Sequence, residues 1–358
     1  MSTTRAGAVL VALACAAACA TTGADGQGDL NLPTAGVGPF RKLDPEEVKG
    51  LAPFVLEDGD AMYREPAVVR DGDATLLYAV ARVDGKDVIV RTRALDERTF
   101  FGTSDHFGKK PAVVLEPSMP WEVALSGPAL VRFRGEVLLY YAGAEGIGVA
   151  RSADGTSFRK EPGPILARDD RPGSWETTAP RAPTVFASQD GTRLHMLYAA
   201  GDAIGEAESD DGVTWRRVGS EPVLSPSPPA PPGSLLPNEK GPFDTVAVGD
   251  PCAVTRITPA GRFHVRVLYT GTGENGATAI GFAARYGEHG PLERQPVPVY
   301  SVGQHEAAPA LLDLGERSYL YVQQDRPSGS RPPFVAIAAA LAPGNVKLPP
   351  PADYPDAP

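Results

Sequence analysis

Cysteine is scarce in this chain: three residues in 358, two of them, Cys15 and Cys19, within the first twenty positions. That is too few for a disulfide framework, so the fold must be held by packing and hydrogen bonding. Positive charge is also short. Thirty-four Lys and Arg face 44 Asp and Glu, for a formal charge of −10 and a pI near 5.1. Such a balance opposes nucleic-acid phosphates and leaves neutral or cationic ligands, sugars included. After the first eighteen residues no apolar run is long enough to cross a bilayer. What is plentiful is glycine (39) and proline (37), a content that suits a turn-rich all-β protein better than a helical one.

The first residues read as a leader. Arg5 precedes an apolar run from Ala6 to Ala18 that is too short to span a membrane and ends in small residues at Cys19. This pattern predicts a lipoprotein-type signal over residues 1–18 with Cys19 as the lipidated residue, Cys15 as a competing position, and ordinary cleavage as the alternative. The expectation is a bacterial cell-envelope protein held to its membrane through a lipid anchor only. Residues 19–39, rich in Thr, Gly, Asp and Gln, read as a flexible tether. Asp44-Pro45 at the head of a short acidic stretch reads as one helical turn.

From there the chain repeats itself. Pro66-Ala-Val-Val69, Pro128-Ala-Leu-Val131, Pro183-Thr-Val-Phe186, Pro251-Cys-Ala-Val254 and Pro309-Ala-Leu-Leu312 each open a unit, and each is followed by an apolar run ending in tyrosine: Tyr78, Tyr141, Tyr198, Tyr269 and Tyr321. Short apolar runs separated by Gly, Asp and Ser turns are antiparallel strands joined by hairpins. Repetition at this period predicts a five-bladed β-propeller over residues 40–342, counted as one domain, with blade cores near 63–115, 121–166, 175–224, 243–300 and 304–341. A second proline-and-aliphatic run closes the units at Pro111–Leu115, Pro164–Leu166, Pro222–Leu224 and Pro298–Tyr300. The last unit lacks one, while Pro53–Leu56 is spare, so this N-terminal segment is expected to complete the last blade and hide two sheet edges. Residues 343–358 form a proline-rich tail. The prolines of Ser225–Gly233 predict a surface excursion.

Three motifs carry less than they suggest. Gly271-Thr-Gly-Glu-Asn-Gly276 matches a dinucleotide fingerprint but falls at a hairpin with no parallel βαβ context. His305-Glu-Ala-Ala308 is followed by Pro309 where a zinc-protease helix needs its second histidine. Ser152-Ala-Asp-Gly-Thr-Ser-Phe158 and Ser209-Asp-Asp-Gly-Val-Thr-Trp215 are equivalent turns in which Ser bonds the turn backbone and the aromatic packs between blades.

Chemistry is expected where the innermost strands converge. The residues just before the shared prolines are Arg64-Glu65, Ser126-Gly127, Arg181-Ala182 and Gly249-Asp250, with His305-Glu306 taken for the fifth unit. Upstream sit the aromatic-acid pairs Trp121-Glu122, Trp175-Glu176 and Phe243-Asp244. Aromatic faces beside carboxylates suit a pyranose or furanose, whose C–H face stacks while its hydroxyls bond the acids. Equally, the aromatics can wedge within the sheets while the acids cap turns. On the first alternative Trp121, Trp175, Phe243, Arg64, Arg181, His305 and Glu306 would bind substrate.

With these units the chain resembles the five-bladed propellers of the arabinanase, levansucrase and invertase superfamily, including glycoside hydrolase family 43. The resemblance implies a glycan ligand and two opposed carboxyls. In that family a base Asp precedes the proline of the first blade, a tuning Asp that of the second, and an acid Glu lies in the third. Glu65 stands at the base position here, Gly127 and Ala182 occupy the other two, and Asp250 has the Asp-Pro pair in the fourth unit. The resemblance therefore implies Glu65 with Glu176 as acid and base, and Glu122, Asp244 or Asp250 tuning them. Inversion would need a carboxyl separation of ~6.5–9.5 Å and retention ~5–5.5 Å. No cofactor is required, although His305 stands where relatives hold a channel ion such as calcium. A monomer is expected, and a non-catalytic carbohydrate- or protein-binding propeller is the competing reading.

Overall fold

The computed structural model describes residues 40–42, 54–56, 62–94, 111–234, 241–258, 260–302, 305–314, 317–325 and 334–341. The expected leader with Cys19, the tether, the helical turn at Asp44 and the proline-rich tail lie outside the described residues.

Two short N-terminal strands, β1 (Arg41–Lys42) and β2 (Phe54–Leu56), precede the repeats. Then follow β3 (Tyr63–Asp71), β4 (Ala74–Val83), β5 (Lys86–Ala94) and β6 (Ala112–Leu115). Next come β7 (Ser126–Phe133), β8 (Glu136–Ala142), β9 (Gly146–Ser152), β10 (Arg159–Lys160) and β11 (Leu166–Ala167). The third group is β12 (Arg181–Ala187), β13 (Leu194–Ala200), β14 (Ala203–Ser209) and β15 (Arg216–Arg217). The fourth is β16 (Ala247–Ile257), β17 (Phe263–Thr272), β18 (Thr278–Tyr286) and β19 (Glu293–Arg294), and the chain closes with β20 (Ala307–Asp313), β21 (Arg317–Gln324) and β22 (Phe334–Leu341). A 3₁₀ turn, Pro120–Glu122, is the single helical element among the described residues.

Hydrogen bonding joins these strands into antiparallel sheets: β3 to β6, β7 to β11, β12 to β15, β16 to β19, and β20 to β22 with β1 and β2. The first strands β3, β7, β12, β16 and β20 pack side by side in that order, and β20 returns to β3. The result is an all-β propeller. Phe54 pairs with Ala336 and Leu56 with Val335, so the N-terminal segment does lie on the last sheet, and Arg41 pairs with Ala339 beyond it. Its partner strand β22 would otherwise present an open edge.

Two details depart from the sequence expectation. In the third and fourth sheets the outermost strand is not the proline-and-aliphatic run but the short basic segment before it, Arg216–Arg217 and Glu293–Arg294. Leu224 and Tyr300 make only isolated bridges, to Ile204 and Ile280. Proline supplies no N–H to a ladder, so these runs add packing without a full strand. The tyrosines also split into two series. Ala67 opposes Tyr78, Ala129 opposes Tyr140 and Ala310 opposes Tyr321, whereas Tyr141, Tyr198 and Tyr269 each sit one residue beyond the equivalent register position. A shift of one residue turns a side chain to the opposite face.

The first series ties sheet to sheet. Tyr78 donates its hydroxyl to Gly155 O (2.9 Å) and Tyr140 to Gly212 O (2.8 Å), each reaching the glycine of a Ser-x-Asp-Gly turn in the next sheet. Those turns are built as expected: Ser152 Oγ accepts from Gly155 N (2.9 Å) and Ser209 Oγ from Gly212 N (2.8 Å). Trp215 packs edge-on against Tyr140 at 5.7 Å.

Candidate functional site

At the start of every first strand the ladder slips by one residue. The register shifts fall between Arg64 and Ala67, Ser126 and Ala129, Arg181 and Thr184, Gly249 and Cys252, and Ala307 and Ala310. At each bulge the residue before the proline takes a left-handed backbone: Glu65 (φ 51), Gly127 (φ 54), Ala182 (φ 47), Asp250 (φ 45) and Ala308 (φ 49). A residue preceding proline is normally extended, and a left-handed non-glycine residue costs on the order of 1–3 kcal/mol, so such strain points to a site. Below this ring the five prolines and the residues after them line a cavity of about 150 Å³.

The ring positions carry two carboxylates, Glu65 and Asp250. His305-Glu306 is not the fifth member, because β20 begins at Ala307 and Ala308 holds the equivalent backbone. His305 is exposed, while Glu306 is fully buried near Tyr300, whose hydroxyl accepts from Gln324. Ala307-Ala308 stand directly before Pro309, as Arg64-Glu65 stand before Pro66, and His305-Glu306 lies two residues further upstream.

Glu65 accepts from the Gly127 N–H of the neighbouring sheet (2.5 Å) through one oxygen and from Arg64 through the other. Arg64 also donates to Asp87 (2.8 Å). Burial raises the Glu65 carboxyl above its usual range, opposed by Arg64 and the Gly127 amide and reinforced by the charge of Asp250. Asp250 itself is approached by Arg181 at 3.5 Å. Only a glycine fits at 127: a Cβ there would stand 2.7 Å from Ala182 Cα. The ring is thus two Arg–carboxylate pairs flanked by backbone and methyl groups, able to donate and accept hydrogen bonds over a small polar patch.

The other expected acids are elsewhere. Glu122, Glu176 and Asp244 are each at most 4% exposed and form one repeated device. Glu122 accepts from Tyr141 Oη (2.7 Å), Lys160 Nζ (2.7 Å) and the Ser118 amide (2.6 Å). Glu176 accepts from Tyr198 Oη (2.8 Å), the Arg217 guanidinium (2.5 and 2.8 Å) and the Asp169 amide (2.8 Å). Asp244 accepts from Tyr269 Oη (2.8 Å) and Arg294 (2.6 Å). The bases come from the outermost strands β10, β15 and β19, so each acid clamps the second and fourth strands of its own sheet to the segment entering it. Burial alone would raise the Glu122 carboxyl, but Lys160, the Ser118 amide and Tyr141 together hold it below the usual range.

The paired aromatics belong to the same device. Trp121 stacks on Tyr141 (5.8 Å), Trp175 on Tyr198 (6.1 Å) and Phe243 on Tyr269 (6.2 Å). Gly148 and Gly205 make room for the two indoles, where a Cβ would meet the ring at 2.4 Å in both cases. These six residues are occupied within the sheets, and of the expected acids Glu65 and Asp250 are the ones at the bulged ring positions. The signal that separates them lay in the basic residues Lys160, Arg217 and Arg294, which recur at one place in the unit.

No family model matches this sequence, and no curated protein matches it. Among solved structures, a glycosyl hydrolase from Bacteroides ovatus superposes with a TM-score of 0.61 at 14% identity over 86% of this chain and 96% of that one. A thermostable family-43 glycoside hydrolase gives 0.55 at 15% identity over 84% and 97%. An endo-arabinase from Bacteroides thetaiotaomicron gives 0.54 at 13% identity over 80% and 97%. At these identities the likeness is one of fold.

Proposed function

We propose, proceeding from a propeller fold shared with glycoside hydrolases, that this chain holds a glycan at the ring of bulged pre-proline residues. We count its five sheets as five blades about that ring, the last completed by the N-terminal segment. The observation that carries the reading is the pair of Arg–carboxylate couples, Arg64 with Glu65 and Arg181 with Asp250, set on strained backbone above a cavity of about 150 Å³. Guanidinium N–H groups and carboxylate oxygens in fixed positions match the alternating donors and acceptors of sugar hydroxyls. His305 is not among the residues lining the central cavity, whose walls are proline and aliphatic side chains with Thr184 and Cys252, a lining that offers an ion such as calcium no carboxylate. A glycan array probed with purified protein tests the reading. Binding is expected, and Glu65→Gln and Asp250→Asn should each weaken it at least ~10-fold, the loss of one hydrogen bond to a charged group. An array with no bound glycan refutes it.

A second reading, glycoside hydrolysis, is favoured by one observation: burial and the facing charge of Asp250 raise Glu65, while Asp250 lies beside Arg181. Two carboxyls in unlike environments suit a proton donor for the leaving oxygen and a base for the attacking water. Gly127 and Ala182 at the other ring positions favour binding without turnover. Release of aryl groups from a panel of chromogenic furanosides and pyranosides, abolished by Glu65→Gln, would establish hydrolysis, and no release by the wild type would exclude it.

The leader supports placing this mouth at a bacterial cell envelope, tethered through Cys19. Metabolic labelling with palmitate should mark the wild type and not Cys19→Ser.

A further inference from the structure

Between the third and fourth sheets, at the end of the β12–β13 ladder opposite Arg181, three side chains converge. His195 on β13 and Glu206 on β14 are wholly buried, and His289 follows β18 in the next sheet. His195 opposes Glu208 across the β13–β14 ladder and Leu197 opposes Glu206, so His195, Glu206 and Glu208 share one face. Glu206 Oε1 lies 3.5 Å from His195 Nδ1 and 3.5 Å from His289 Nδ1. Neither nitrogen of the buried His195 has a hydrogen-bond partner. A buried imidazole with both nitrogens unsatisfied is costly, and such groups call for an explanation.

We propose that His195 Nδ1, His289 Nδ1 and Glu206 Oε1 form a divalent-metal site of the zinc type. Zn–N and Zn–O distances of ~2.0–2.2 Å at tetrahedral angles put neighbouring ligand atoms ~3.3–3.5 Å apart, which matches both 3.5 Å separations. The surroundings fit as well. The second nitrogen of His195 faces Glu288 Oε2 at 3.4 Å, and that of His289 faces Glu208 Oε2 at 3.9 Å. Carboxylates behind ligating histidines are the usual way of fixing tautomer and ring orientation. Arg285 grips Glu206 through both oxygens (2.7 and 2.8 Å) and sets the plane of the carboxylate.

Three protein ligands leave a fourth position for water. With His195 and Glu206 on the third sheet and His289 beside the fourth, the ion would staple two sheets. Phe186 stacks on His195 at 5.3 Å and keeps that ring in place.

The test uses untagged protein freed of metal with a chelator and titrated with Zn²⁺ and Co²⁺. One equivalent of each should bind, Co²⁺ with the intense visible absorption of a tetrahedral site, and Zn²⁺ should raise the melting temperature. His289 is 43% exposed on its side chain, so His289→Gln should leave the metal-free melting temperature unchanged while abolishing the Co²⁺ spectrum. Glu288→Gln, behind His195, should weaken Zn²⁺ by ~10–100-fold. Absence of stoichiometric binding by the wild type overturns the proposal, as does binding by His289→Gln equal to wild type. Glycan binding plays no part in either readout.

Discussion

Replacing Glu176 by glutamine separates a structural clamp from a catalytic acid. The side chain is fully buried, and its two oxygens accept four hydrogen bonds, two from Arg217 and one each from Tyr198 and the Asp169 amide. Glutamine has the same shape, but its amide must aim N–H at some of these donors whichever way it turns, and Arg217 loses its counter-charge. Breaking a buried pair from one side costs about 3–5 kcal/mol. A domain of this size loses roughly 2 °C of melting temperature per kcal/mol, so a fall of about 6–10 °C is expected. Differential scanning calorimetry measures it, with a double-mutant cycle to Arg217→Met returning a coupling of ~1–3 kcal/mol. Glycan binding per folded molecule should be unchanged. A variant that melts with the wild type yet no longer binds or cleaves glycan would refute the reasoning and return Glu176 to the site.

Gly127→Ala adds a Cβ 2.7 Å from Ala182 Cα at a left-handed backbone, so urea unfolding should show a loss of about 1–3 kcal/mol together with weakened ligand binding. Acid should unfold the protein through its buried clamps. Glu122 is held below its ordinary value of 4.5, so its contribution is full above that pH and is lost as pH falls through its folded value. Stability measured from pH 7 downward should therefore drop below about 4.5, and a flat profile there contradicts the assignment. Glu65, raised, has the opposite sign: its contribution is full below 4.5 and lost as pH rises through its folded value. Cys252 lines the central cavity, and burial pushes its thiol up to about 11, so alkylation at pH 8 should be slow in the native protein and fast in urea, as read by peptide mapping.

Much of the fold was legible locally. Alternating apolar residues between Asp-Gly and Ser-x-Asp-Gly turns define hairpins wherever they occur, and the recurring proline marks the first strand of each unit. The pairing of Phe54 and Leu56 with the last sheet followed from a missing strand at one end and a spare one at the other. Less legible was the face each tyrosine takes, since Tyr140 and Tyr141 are adjacent and only the ladder register tells which one joins the clamp. The site was half legible. Glu65 and Asp250 were visible as residues before a proline, but His305-Glu306 was misplaced, since Ala307-Ala308 directly precede Pro309 and Ala308 takes the bulged position.

The sequence alone determined an all-β repeat and the places where its first strands begin, because turn chemistry and period-two alternation act over a few neighbouring residues. Tertiary structure alone decided what the acids do. Glu122, Glu176 and Asp244 find their bases 38, 41 and 50 residues further along the chain. His195 meets His289 across two sheets. Such meetings depend on strand register and on how one sheet packs against the next, which no local pattern encodes.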